Sequence, residues 1–133
     1  VNLVFKGIDD PELQHKITLA HRRFEKKLTA YTPGLDTLTV ELTNRYRTSA
    51  GFADPNKWVI SINYWLHRFD EAELLSTYGH ELAHIYAYAC FGFDIKAHGP
   101  EWARVMVDLG LTQDQRHVVS RKEMRFRKQH WKT

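Results

Sequence analysis

Residues 79–84 read Gly79-His80-Glu81-Leu82-Ala83-His84, and the rest of the chain is best read outward from them. Two histidines four apart share one face of an α-helix, roughly 40° apart around an axis that turns once in about 3.6 residues. From there two imidazole nitrogens reach one tetrahedral zinc at about 2.0–2.1 Å. Leu82 falls on the opposite face and anchors the helix in a core. Glu81 lies beside His80, so its carboxylate reaches a water at the metal without being a ligand. A single rigid element then offers two ligands and one base. Two structural histidines are the plainer alternative. The match sits mid-helix, in register with a buried stripe, which favours the metal.

The flanking residues frame this helix. Asp70 with Glu73 resembles a capping box and predicts a helix from Asp70 to about Cys90, with Leu75, Tyr78, Leu82, Ile85 and Ala89 facing the core. Phe91-Gly92-Phe93-Asp94 breaks it. Gly99-Pro100 opens the next helix, with Trp102, Val105, Met106 and Leu109 on one face and Gly110 as its stop.

A catalytic zinc takes three protein ligands and keeps one position open. Asp94, His98 and Glu101 are the downstream candidates for the third. His98 is the best placed, because the thirteen residues after His84 let the first helix finish, reverse and return. The metzincin spacing does not fit: Ala87 stands where its glycine would be and Cys90 where its third histidine would be. Cys90 is also discounted as a fourth, structural ligand, lying about 9 Å along the helix from His84.

Upstream, Asp10-Pro11-Glu12 is a strong helix start. Leu13, Ile17, Ala20, Phe24, Leu28 and Tyr31 continue it as one apolar stripe, with Arg22, Arg23, Lys26 and Lys27 on the other side. Thr32-Pro33-Gly34 ends the helix. Three strand candidates follow at 38–42, 49–53 and 58–62, separated by turns at 44–47 and 54–56. The economical arrangement is a three-stranded antiparallel meander. The expected fold is α+β: a long N-terminal helix, the meander, the motif helix and a following helix, all in one domain over residues 1–133.

Composition narrows the function classes. The 133 residues are 43% hydrophobic and 26% charged, as in a folded domain rather than a disordered chain. No apolar run approaches the length of a membrane span. Val1 to Gly7 shows no secretory leader. The single cysteine, Cys90, excludes an intrachain disulfide and a cysteine-based zinc ribbon within these residues, and it points to a reducing, cytoplasmic setting. The net charge of +3 is uneven: after Asp114 there are seven basic residues against Glu123 alone. That basic tail, residues 115–133, is either a solvated solubility feature or a polyanion contact. As a contact, it would meet DNA through Arg121, Lys122, Arg125, Arg127 and Lys128.

The pattern as a whole resembles the SprT family, which includes bacterial SprT proteins and the SprT-like domain of Spartan. The resemblance rests on Gly79 to His84, on His98-Gly99-Pro100-Glu101-Trp102, and on Met106 and Leu109 in the helix that follows. It implies a zincin-like α+β metallopeptidase fold with one zinc held by His80, His84 and His98 and with Glu81 as catalytic base. Better-known members cut proteins crosslinked to DNA, so the implied activity is a zinc-dependent endopeptidase acting on DNA-associated protein substrates. Members commonly continue into a second, cysteine-containing zinc segment. Residues 129–133 read as the approach to it, and its cysteines are not among these residues. Tyr86, Tyr88 and His130 are open as the donor to the oxyanion. The competing reading is a nucleic-acid-associated binding module with a structural or vestigial zinc. The basic tail and the Arg22-Arg23 and Lys26-Lys27 pairs motivate it, and the presence of Glu81 argues for the enzyme.

Overall fold

The computed structural model describes residues 1–45, 49–68 and 70–112. In chain order the elements are β1 (Asn2–Gly7), α1 (Pro11–Lys27), β2 (Thr37–Thr43), β3 (Gly51–Asp54), β4 (Val59–Asn63), α2 (Tyr64–His67), α3 (Glu71–Phe91) and α4 (Pro100–Leu109). The class is α+β. The sheet runs β1-β2-β4-β3. β1 pairs with β2 and β2 with β4 in parallel, while β3 pairs with β4 antiparallel.

This corrects the expected meander. The 51–54 and 59–63 segments do form an antiparallel pair, but β2 skips its neighbour in sequence and lies against β4. The reason is burial. Four of the five residues of β4 are buried, so it belongs in the middle of the sheet, whereas β3 is short, half-exposed and suited to an edge. A fourth strand, β1, was not anticipated. It turns the N-terminal helix into the crossover between two parallel strands, which need such a connection.

The helices cover one face of the sheet. Along β2, Leu38, Val40 and Leu42 are buried and alternate with residues of the opposite face, as a strand with one covered side must. Leu13, Ile17, Ala20 and Phe24 of α1 join them in the core. Asp10 starts α1 as expected, its carboxylate accepting from the Leu13 N–H at 3.1 Å. The same carboxylate meets Arg68 at 2.6 Å and accepts from the Tyr64 hydroxyl at 2.9 Å, which ties the start of α1 to α2.

α3 is enclosed on nearly all sides. Asp70 caps it by accepting from the Glu73 N–H at 3.0 Å, and every residue from Thr77 to Ala87 is buried. Gly79 makes this packing possible: a Cβ there would collide with Leu111 and come within 3.2 Å of Phe24. α4 begins at Pro100 and stops at Gly110, whose φ of 74° is the left-handed cap that glycine favours. Trp58, expected inside a strand, ends the β3–β4 turn with a φ of 52°, a strained conformation for a bulky residue. Among the described residues no helix is long and apolar enough to cross a membrane.

Candidate metal centre

α3 presents His80 and His84 from consecutive turns, and the loop between α3 and α4 returns to bring His98 against them. The His80 and His84 rings are buried and His98 is half-buried. Their Nε2 atoms lie 3.3 Å apart for His80 and His84, 3.1 Å for His84 and His98, and 3.4 Å for His98 and His80. Three nitrogens around one tetrahedral zinc at about 2.0–2.1 Å would be separated by about 3.3–3.4 Å. The donor set therefore fits the ion in spacing as well as in chemistry. Three neutral rings aimed at one point cannot all satisfy one another, since each N–H points to a single acceptor; a cation between them resolves this. Among the described residues the group that could hold a metal consists of these three histidines.

The other candidates fall outside it. Asp94 is exposed, and Glu101 is half-buried with a carboxylate oxygen 3.5 Å from where a Cβ on Gly99 would lie. Cys90 is a half-buried free thiol whose pKa burial pushes up, and it takes no part in the group. Tyr86 packs edge-on against Tyr31 at 6.3 Å, and burial pushes its hydroxyl up to about 12. It lies about two-thirds of a turn round from His80, so it faces away from the three rings. Tyr88, one turn beyond His84, stacks on Phe93 at 5.6 Å, and Phe93 in turn meets Trp58 at 6.1 Å. These rings form an aromatic border from α3 to the β3–β4 turn. His130 and the basic residues Arg121, Lys122, Arg125, Arg127 and Lys128 lie outside the described residues.

Glu81 is only 4% exposed, and burial alone pushes its carboxyl up to about 8. A dication among the neighbouring histidines would favour the charged form and oppose that shift. Its side chain is held from the sheet side. A Cβ on Gly51 would lie 3.3 Å from the Glu81 Cγ, 2.9 Å from the Thr77 Cγ2 and 3.0 Å from the Ser61 carbonyl oxygen. At Gly51, therefore, β3 comes close against α3 beside the Glu81 side chain.

Sequence reasoning left Trp102 as a core residue, and its surroundings say more. It is 1% exposed, and its indole touches all three histidines. It stacks on His84 at 5.5 Å with 21° between planes, and meets His80 at 5.1 Å and His98 at 4.8 Å edge-on. Its Nε1–H donates to the His80 carbonyl oxygen at 3.4 Å. The spacing of Trp102 four residues after His98 was the available signal, since it puts both on the first approach to α4.

Fold and site together define a chain with an α3 His-Glu-x-x-His motif completed by a histidine just before α4. A model of the SprT-like family matches residues 13–123, and the chain belongs to that family. Among curated proteins it is similar to "Protein SprT" of Pseudomonas putida (strain GB-1), 38% identical over 58 residues, which is 43% of this chain and 35% of that protein. "Protein SprT" of Pseudomonas entomophila (strain L48) matches with the same identity over the same length. The match thus spans about a third of the length of these relatives. No solved structure matches the chain significantly.

Proposed function

We propose that this chain is a zinc-dependent endopeptidase of the SprT type, with His80, His84 and His98 as ligands and Glu81 as general base. The convergence of the three Nε2 atoms within 3.1–3.4 Å carries this reading, with the buried Glu81 adjacent to His80 on the same helix. Zinc in that position supplies Lewis acidity toward a carbonyl oxygen and lowers the pKa of water. Glu81 accepts the proton of the attacking water and returns it to the leaving amine nitrogen. Its place next to a ligand, on the same helix, gives it that reach without a bond to the metal.

An extended stretch of protein is the substrate this site suits. β3 ends the sheet, and its outer edge pairs with no strand among the described residues. Its backbone is therefore available to align a substrate chain by main-chain hydrogen bonds. β3 reaches the site through Gly51, so such a chain would pass Glu81.

The substrate's setting is proposed to be DNA. The side chains of Arg22, Arg23 and Lys26 are exposed along α1 and enter no ion pair among the described residues. With the basic tail they offer a polyanion several phosphate contacts, and binding should weaken steeply with salt. The same observation supports the second reading, a nucleic-acid-binding module whose zinc is not catalytic.

One experiment separates the two. The zinc-loaded chain is incubated with an unfolded protein substrate, with and without single-stranded DNA, alongside Glu81→Gln and His84→Ala. The enzyme reading expects cleavage by the wild type, loss of cleavage with zinc retained in Glu81→Gln, and loss of both in His84→Ala. Stoichiometric zinc and salt-sensitive DNA binding without cleavage would select the module.

A further inference from the structure

We propose that Trp102 is a positioning residue for the metal site, its indole setting the orientation of all three imidazoles before any ion arrives. This rests on the reading of His80, His84 and His98 as ligands and adds a cause for their convergence.

A histidine ring turns about χ2 in a broad, shallow well, and the turn carries Nε2 sideways by more than a metal bond tolerates, since ligand distances must hold to within about 0.2 Å. Something must therefore restrain the rings. A carboxylate or carbonyl on the second ring nitrogen is one such restraint, and a ring packed against the imidazole is another. Here one indole meets every ligand ring. It lies flat on His84 and edge-on to His80 and His98, with all three centroids between 4.8 and 5.5 Å. Two perpendicular restraints and one parallel restraint from a single rigid surface leave the three rings little independent freedom.

The brace is itself anchored. Its Nε1–H reaches the His80 carbonyl oxygen at 3.4 Å, which joins α4 to α3 at a ligand's own backbone. Burial at 1% exposure removes any alternative position for the indole. Pro100 and Gly99 start α4 immediately after His98, so the chain delivers the third ligand and its brace within one turn. An ordinary core side chain would fill the same volume. It would not meet three separate rings at once, one stacked and two edge-on.

The test compares zinc affinity, by competition with a chelating indicator, with the thermal midpoint of the metal-free protein. The variants are Trp102→Phe, Trp102→Leu and, as a control, Val105→Ala. Val105 is fully buried on the same helix and has no part in the histidine group. Trp102→Phe should weaken zinc binding by about tenfold or more, the usual effect of removing a group that orients a ligand. It should also change the visible absorption of bound Co²⁺, which reports ligand geometry. Val105→Ala should lower the metal-free midpoint, as a buried large-to-small change does, while leaving zinc affinity within about twofold. Zinc affinity and Co²⁺ spectrum unchanged in Trp102→Phe would overturn the proposal, as would an equal loss of affinity in Val105→Ala. Should the variants fail to fold, the metal-free wild type decides by NMR. Nuclear Overhauser contacts from the indole to ring protons of all three histidines are expected without zinc, and their absence would overturn the brace. If the wild type binds no zinc, the ligand reading falls and this proposal with it. If it binds one zinc that His84→Ala loses and Trp102→Phe keeps at full affinity, only the positioning role falls.

Discussion

Glu81→Gln in the metal-free protein should stabilise the fold. In the folded chain burial raises the carboxyl from the ordinary 4.5 to about 8. At pH 7 the folded form therefore holds a proton that the unfolded form has lost. Each pKa unit is worth about 1.4 kcal/mol, and pH 7 stands some two and a half units above the unfolded value, so the wild type gives up about 3 kcal/mol by burying this group. Glutamine has nearly the same shape and never ionises. Its advantage should be absent below pH 4.5, where the carboxyl is neutral in both states, and should grow up to about pH 8. Urea unfolding in a chelator at pH 4, 5.5, 7 and 8 measures the difference directly. Zinc should narrow the gap, because a dication beside the carboxylate lowers the cost of its charge. In the loaded protein the same substitution should cost about 10² to 10⁴ in turnover with zinc content unchanged. A metal-free variant no more stable than wild type at pH 7, or a gap that does not change with pH, would refute the reasoning: the carboxyl would then not be strained by burial.

His98→Ala should weaken zinc binding strongly while leaving the far-ultraviolet circular dichroism nearly unchanged, since His98 lies in a loop and supports no element of the core. Gly51→Ala should lose about 1–3 kcal/mol in chemical denaturation, because the new methyl meets Thr77, Ser61 and Glu81 within 2.9–3.3 Å. His21 is buried with its Nδ1 2.7 Å from the Tyr78 hydroxyl, and burial lowers its pKa below the ordinary 6.5 despite the opposing pull of Glu25. Protonation then favours the unfolded chain, so stability should fall as pH drops through 6.5, and His21→Gln should flatten that part of the profile.

The starts of α1, α3 and α4 were legible because their signals are local, whereas α1 stops at Lys27, short of the expected Thr32-Pro33-Gly34, and the one-turn α2 had no periodicity to show. The Asp10 and Asp70 caps, Pro100 and Gly110 mark ends within a residue or two of those observed. His80, Glu81 and His84 were legible for the same reason, being neighbours on one helix. The sheet was not. Whether β4 pairs with β2 or only with β3 depends on which strand is covered on both flanks, and that is decided by packing against α1 and α3 rather than by adjacency in the chain. β1 was missed because only Leu3 and Phe5 of its six residues pack against the core, too short an alternation to stand out. Trp102 was seen as apolar and on the right face of α4. Its contact with the three histidine rings requires the loop to close, which no periodicity reports.

All three histidines of the site lie between residues 80 and 98, in α3 and the loop after it, and the sheet contributes none. An ion bound there ties residues 14 apart across that loop, from His84 to His98. Its thermodynamic effect is that of a local staple, with a chain-entropy gain of about 2–3 kcal/mol for a loop of this length. Amide hydrogen exchange would register it unevenly. Protection should rise in the last turns of α3, the connecting loop and the first turn of α4. The strands would continue to open only with the whole domain. The sheet holds no ligand, so occupancy would add its protection to an α3–α4 joint already held by Trp102 and leave the strands unchanged.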